Sequence, residues 1–191
     1  MLMLLAGVSV QPQVPSGVVE GVVYATGMLT DNAVVYMVAE GKPRTPLKDE
    51  RAVIDQVNLR FVPTILVVQP GAIVEFRNSD PILHNVFSPD RLGDGFDLGT
   101  YPRNSSRFHT FNRLGPHVIL CHVHPEMAAY VVVVPTQYHA VVPRSGRFRI
   151  QDITAGRYKL RVWHRSTKPL ERSVVVRSGV IVRVQLELER K

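Results

Sequence analysis

Short apolar runs rich in valine and isoleucine alternate along this chain with glycine, proline, asparagine and aspartate. β-Branched residues suit the pleated surface of a sheet, and the interrupting residues suit tight turns. No segment shows the helical period of about 3.6 residues. The clearest runs are GVVEGVVYA, NAVVYMV, TILVVQP, AIVEF, AAYVVVVP, GRYKLRVW and GVIVRVQLEL. The pattern therefore predicts an all-β protein of the sandwich type.

The predicted strands fall into three blocks. Residues 17–40 form a pair of strands around the turn MLTDN, residues 52–135 form a longer self-contained series, and residues 136–191 hold the remaining strands. An isolated pair of strands is marginally stable in water. The N-terminal pair must therefore pack on one of the later blocks.

The chain is basic, with a net charge of +7 and a pI near 9.9, and much of the excess lies towards the C-terminus. In RFRI and RYKLRVW the basic residues alternate with apolar ones, so we expect them to form one solvent face of a sheet. That face is either simply solvated or a docking surface for an acidic protein, an anionic lipid or a polyanion. The basic residues of this C-terminal excess are Arg144, Arg147, Arg149, Arg157, Lys159, Arg161, Arg165 and Arg172. No nucleic-acid-binding motif is visible in the sequence.

The first residues, MLMLLAGVSV, are apolar and lead into the Pro- and Gln-rich stretch QPQVPSG. Residues 1–16 are predicted to be the remainder of a signal peptide or a disordered leader. The apolar part is too short to span a membrane, and no later segment could do so. We expect export to the periplasm or the cell exterior. The single cysteine excludes an internal disulfide, and a lone thiol exposed to oxidants favours a ligand role for Cys121.

The candidate chemistry is concentrated in VILCHVHPEM, where Cys121, His124 and Met127 have the spacing Cys-x2-His-x2-Met. A thiolate, an imidazole and a thioether form a soft ligand set that suits copper. A blue-copper site needs a second histidine, and His84 at the predicted end of a strand in PILHNV is the natural candidate. Its neighbour Asn85 is placed to hydrogen-bond to the cysteine loop and hold it.

Other interpretations of these residues remain open at this stage. Cys121 follows three apolar residues and could be an inert buried thiol. A Cys–His nucleophilic pair lacks an oxyanion-hole motif and an orienting acid, so a catalytic thiol is disfavoured. His122 alternates with Cys121 and should point away from the site, where a tuning or electron-exit role stays open. The remaining histidines lack ligand spacing and are predicted to be surface or structural residues: His109, His117, His139 and His164.

Residues 52–135 resemble the cupredoxins. FVPTILVVQPGAIVEFRNSD followed by LHNV is similar to the strands and His-Asn pair that carry the first copper ligand in that family, and GPHVILCHVHPEMAAYVVV is similar to its closing ligand loop. The short loop spacing is closer to the amicyanins than to the plastocyanins. The resemblance implies a Greek-key β-sandwich over residues 48–135 with one type 1 copper ion. Its implied ligands are His84, Cys121, His124 and Met127.

The C-terminal block resembles the carboxypeptidase regulatory-like domain, a small prealbumin-like β-sandwich also related to carbohydrate-binding folds. SGRFRIQDITAGRYKLRVWH carries this similarity, but the block lacks the opening pair of strands of that family. Such a pair stands at residues 17–39. We therefore expect a discontinuous domain made of residues 17–47 and 136–191, with the cupredoxin domain inserted in one of its loops.

These features together predict an exported mononuclear type 1 copper protein that transfers single electrons and is not an enzyme. Its expected partner is a redox protein with an acidic patch, to which the basic residues would dock. One alternative is a copper delivery or storage protein that has no redox role. Another is a structural or carbohydrate-binding module with a vestigial copper site.

Overall fold

A computed structural model describes residues 16–25, 28–41, 51–89 and 94–191, with only the backbone of residues 28 and 29. The described residues form strands in four sheets and no helix, so the all-β prediction is confirmed. The described part of the chain contains no helix with the length and hydropathy needed to cross a membrane. Residues 1–15 of the predicted leader and residues 42–50, including the expected domain boundary near Lys48, lie outside the described residues.

The strands run in chain order as follows. They are β1 Ser16–Ala25, β2 Met28–Leu29, β3 Val34–Ala39, β4 Arg51–Gln56, β5 Phe61–Val62, β6 Ile65–Val68, β7 Ala72–Asn78, β8 His84–Ser88, β9 Phe96–Tyr101, β10 Ser105–Phe111, β11 Gly115–Leu120, β12 Ala128–Val133, β13 His139–Val141, β14 Arg147–Thr154, β15 Gly156–Trp163, β16 Leu170–Val176 and β17 Ile181–Leu188. Two differences from the sequence analysis concern the site region. His84 begins a strand instead of ending one, and β9 lies within the glycine-rich stretch DRLGDGFDLGTYPRNS, whose composition predicts a long loop.

Strands from both ends of the chain form two of the sheets. Sheet I has the order β14-β1-β17, with β2 also paired to β1, and sheet II has the order β13-β3-β15-β16. The inward-facing residues of these sheets form one apolar core, in which Val19, Met37, Leu160 and Leu186 are fully buried. The N-terminal pair of strands is thus stabilised by residues more than a hundred positions later in the chain.

The central part of the chain forms the other two sheets. Sheet III has the order β10-β7-β4-β5, and sheet IV has the order β6-β12-β11-β8-β9. They enclose a second core around Phe61, Phe76, Phe111 and Ile119, and this core also contains Cys121. The candidate ligand loop therefore lies at the edge of a packed apolar interior.

A third apolar cluster joins sheet II to sheet IV through β12. Val131 and Val133 of this strand face the core between sheets III and IV, whereas Val132 faces sheet II. A strand covered on both faces needs apolar residues at every position, which explains the uninterrupted run VVVV. The four sheets are therefore layered in the order I, II, IV, III. The ring of Trp163 from sheet II packs against Tyr130 of β12, with ring centroids 5.2 Å apart.

The prediction that the basic residues form one solvent face is wrong. Arg147 and Arg149 lie on β14 in sheet I, but Lys159 and Arg161 lie on β15 in sheet II. The chain passes from one sheet to the other at Ala155, so the same alternation exposes two separate surfaces. Several of these cations are also paired: Arg149 with Glu20, and Arg161 with Glu171 at 2.7 Å. Exposed pairs of this kind contribute about 0–1 kcal/mol each.

The third cluster should contribute measurably to stability. Val132→Ala removes buried methyl groups between sheets II and IV, and we expect it to lower the free energy of unfolding by about 2 kcal/mol. Trp163 is the only tryptophan in the chain and packs against this cluster, so its fluorescence during urea unfolding reports the change. The matched control is Val175→Ala, at a half-exposed valine of β16, which should change stability by less than about 0.5 kcal/mol. Equal effects of the two substitutions would contradict a stabilising contact between the sheets.

Candidate metal centre

Three of the predicted ligands meet at one end of sheet IV. His84 is the first residue of β8, and Cys121 directly follows β11. These strands are neighbours in the sheet, with Leu120 paired to Phe87. Leu120 also pairs with Ala128 of β12, so the intervening loop from Cys121 to Met127 closes on itself beside His84.

The donor atoms of these residues converge. The Nδ1 atoms of His84 and His124 are 3.1 Å apart, and the Sγ of Cys121 is 4.0 Å from the His84 Nδ1. All three donors lie within 4.8 Å of one another, and among the described residues they are the one group of three or more potential His, Cys, Asp or Glu ligands. Two donors bound to one ion at about 2.0–2.3 Å are separated by at most about 4.6 Å. The His84–His124 and His84–Cys121 separations therefore fit a shared metal ion.

The donors differ in their exposure to solvent. The side chain of His84 is fully buried and Cys121 is 3 % exposed, whereas His124 is only partly buried. A thiol and two imidazoles form a soft donor set, which favours copper over hard cations such as calcium or magnesium. The site thus combines a copper-type donor set with one histidine, His124, whose side chain is only partly buried.

Met127 lies next to this group. Its side chain is 1 % exposed and belongs to the same core cluster as Cys121. Its backbone N–H donates to the carbonyl of His124 at 3.0 Å, which closes the loop into a turn. This position is compatible with the predicted role of a weak axial ligand, and that role stays a prediction.

Asn85 connects the cysteine loop to the rest of sheet IV. Its backbone N–H points at the Cys121 sulfur at 3.5 Å, and its side-chain oxygen lies 3.4 Å from the backbone N–H of His122. Its side-chain amide donates to Asp97 at 2.7 Å. Hydrogen bonds from Gly99 and Asn85 hold the pKa of Asp97 below its usual range and outweigh the effect of burial. Asn85 therefore ties the strand of one predicted ligand to the loop that carries the two others, which is where a residue that orients ligands would lie.

Asp80 also contacts the ligand group, and the sequence analysis assigned it no role. Its Oδ2 lies 2.9 Å from the Nε2 of His84, and both side chains are buried. Burial opposes ionisation of this carboxyl, but hydrogen bonds from Leu59, His84 and Asn58 outweigh that effect and lower its pKa. In the sequence, the only indication of this contact is the acidic residue four positions before His84.

The other histidines lie outside the donor group. His122 is 57 % exposed, stacks on Phe87 with ring centroids 3.6 Å apart, and points its Nε2 towards Asp97 at 3.4 Å. His109 stacks on Phe96, and His117 is buried with its Nε2 2.8 Å from the carbonyl of Arg113. Burial lowers the pKa of both His109 and His117, so neutral imidazoles are favoured there. His139 lies in β13, and burial also lowers the pKa of His164.

No family model matches the chain, and no curated protein matches it. Solved structures of copper proteins are similar to part of it at low identity. A copper-containing nitrite reductase from Thermus scotoductus is 25% identical over 51% of this chain, with a TM-score of 0.43, and this chain spans 25% of its length. Amicyanin from Paracoccus versutus is 18% identical over 55% of this chain and 100% of its own, with a TM-score of 0.42. A purple cupredoxin from Nitrosopumilus maritimus is 23% identical over 44% of this chain and 99% of its own, with a TM-score of 0.39.

Proposed function

We propose that this chain is a single-electron carrier with one type 1 copper ion, held by His84, Cys121 and His124 with Met127 as a weak axial ligand. One observation carries the proposal. Two imidazole nitrogens and a thiol sulfur, from the start of β8 and from the loop between β11 and β12, converge in a largely buried site. This is the donor set of a blue-copper centre. When bound, copper would supply a centre that gains and loses one electron.

The protein holds these ligands in place from several directions. Asp80 contacts the outer nitrogen of His84, and the Asn85 backbone N–H points at the Cys121 sulfur. The surrounding core excludes water from both ligands. Ligands that are anchored and buried keep one geometry, which favours electron transfer over the rapid metal exchange that copper delivery requires.

The surface around His124 is apolar. Ile82, Leu83 and Val123 are 42–54% exposed and line, with His124, a shallow depression of about 480 Å³. A contiguous exposed apolar patch is typical of a surface that contacts another protein, and we propose that role for this depression. In the proposed function, electrons pass through the edge of the His124 ring while this patch is covered by the partner.

A redox partner with an acidic patch is part of the proposal. Arg103 is exposed and lines the same depression as His124, so it is the cation best placed to meet an acidic side chain there. The arginines of sheet I are separated from sheet IV by sheet II, or about 20 Å at roughly 10 Å per sheet. They are too far from the ligands to guide a partner that must contact His124.

We further propose the domain division expected from the sequence, with a cupredoxin domain at residues 48–135 inserted in a prealbumin-like domain of residues 17–47 and 136–191. The pairing of β1 with β14 and β17, and of β3 with β13 and β15, supports it. Export to the periplasm or cell exterior is likewise proposed, from the apolar leader and the single cysteine.

Copper binding provides the direct test of the proposed centre. On addition of Cu(II) to the metal-free protein, we expect an intense blue colour from charge transfer between the thiolate and copper, measured by absorption spectroscopy. Cys121→Ser should abolish the band because it removes the sulfur donor. His122→Ala is the matched control, since its side chain lies outside the donor group, and it should retain the band. A folded wild-type protein without the band, or a Cys121→Ser variant that keeps it, would show the proposal to be wrong.

The axial role of Met127 predicts a change in reduction potential with little change in colour. Met127→Leu removes the thioether but keeps the apolar volume, so the blue band should persist while the potential, measured by voltammetry, rises. Met37→Leu, at a fully buried methionine between sheets I and II, is the control and should leave the potential unchanged. A potential that is the same in both variants would make Met127 a core residue and no ligand.

The apolar patch predicts a specific effect on electron self-exchange between two copies of the copper-loaded protein. Leu83→Asp places a charge in the patch and should slow self-exchange at least about tenfold, measured by NMR line broadening, because desolvating the carboxylate opposes contact. Val175→Asp introduces the same charge at a valine of similar exposure on β16 and should change the rate little. If both variants exchange electrons equally fast, another surface carries the transfer.

A further inference from the structure

The carboxylate of Asp80 contacts three nitrogen atoms, two of which are backbone N–H donors. The backbone N–H of Asn58 lies 2.6 Å from Oδ1, and the backbone N–H of Leu59 and the Nε2 of His84 each lie 2.9 Å from Oδ2. An ionised carboxylate only accepts hydrogen bonds, so the Nε2 of His84 must carry the proton of that ring. The lone pair of the neutral imidazole is then on Nδ1.

The two backbone donors come from an unusual turn. Asn58 and Leu59 are the two central residues of the four-residue connection between β4 and β5, with φ values of +53° and +59°, and Val57 and Arg60 exchange backbone hydrogen bonds across them. Positive φ at both central positions defines a type I′ hairpin turn, in which leucine is unfavourable. The turn nevertheless directs both of its N–H groups to the Asp80 carboxylate. Sheet III thereby fixes the carboxylate in one position beside His84.

We infer that Asp80 is a positioning residue that holds His84 as the Nε2–H tautomer and directs its Nδ1 lone pair at Cys121 and His124. The inference deepens the proposed function and rests on the copper site described there. The geometry carries it. The Asp80 contact is on the outer nitrogen of the ring, and the 4.0 Å and 3.1 Å contacts to Cys121 and His124 are on the inner one.

The same contact should tune the proposed site. A carboxylate that accepts the outer N–H of a ligating histidine increases the basicity of the ligating nitrogen. Its negative charge also stabilises the more positive, oxidised form of a bound metal more than the reduced form. Asp80 should therefore strengthen Cu(II) binding and lower the reduction potential.

Two substitutions of Asp80 separate the hydrogen bond from the charge. Asp80→Ala removes both, whereas Asp80→Asn removes the charge and retains an oxygen that can accept the Nε2–H. The matched control is Asp55→Asn, which removes the same charge from β4, where the Asp55 carboxylate accepts a hydrogen bond from Ser79 at 2.8 Å.

The first measurement uses the metal-free protein at a pH where its histidines are neutral. Long-range nitrogen–proton NMR correlations identify the protonated nitrogen of His84. We expect the Nε2–H tautomer alone in the wild type, Asp55→Asn and Asp80→Asn, and a mixture of tautomers in Asp80→Ala. An unmixed Nε2–H tautomer in folded Asp80→Ala would overturn the inference.

The second measurement uses the copper-loaded protein. Asp80→Ala should weaken Cu(II) binding about 10–100-fold, and both Asp80 variants should have a higher reduction potential than Asp55→Asn. Should Asp80→Ala fail to fold, Asp80→Asn still decides the question. If the reduction potential of Asp80→Asn equals that of Asp55→Asn, Asp80 only anchors the turn between β4 and β5 and does not tune the site.

The two proposals fail in different ways. If the wild type forms no blue copper site, the proposed function fails, whereas the tautomer of His84 in the metal-free protein still tests the role of Asp80. If the wild type binds copper and the Asp80 variants match the controls, only the positioning role fails.

Discussion

The burial of β12 on both of its faces is the constraint on which the rest of the structure depends. One face of the strand packs into the core between sheets III and IV, and the other packs on sheet II. The strand begins directly after Met127 and pairs with β11, which ends directly before Cys121. Any movement of β12 would therefore alter both the contact between the two sandwiches and the closure of the ligand loop.

Residues of sheets III and IV hold the candidate donor group in place. Sheet IV contributes His84 and the ends of the cysteine loop, while the turn of sheet III fixes Asp80 against the outer nitrogen of His84. Asn85 connects the loop to β9 through Asp97. Each buried donor is thus held by groups that are themselves hydrogen-bonded, and this arrangement favours a single ligand geometry over an adaptable one.

The layering of the sheets separates the basic residues of the C-terminal strands from the surface beside His124. Basic residues are frequent in the C-terminal strands, and their alternation with apolar residues predicts a docking face. Sheets I and II divide these residues between two surfaces, and neither surface includes the edge of His124. The surface at that edge is formed by Ile82, Leu83 and Val123, with Arg103 as the nearby cation. Contact there would be governed mainly by apolar burial, with a smaller electrostatic contribution.

The sequence alone determined the all-β class and most of the strands, because strand periodicity is a local property of the chain. It also singled out His84, Cys121 and His124 as candidate ligands, and the structure brings their donor atoms together. It missed β9, because the stretch DRLGDGFDLGT around that strand has the glycine and aspartate content of a loop. It also predicted a single basic face, since alternation within a strand does not reveal which sheet contains the strand. Asp80 was missed for a related reason. Its role depends on the N–H groups of a turn more than twenty residues away. Only the tertiary structure decided such contacts, because they arise when distant strands pack around a common core.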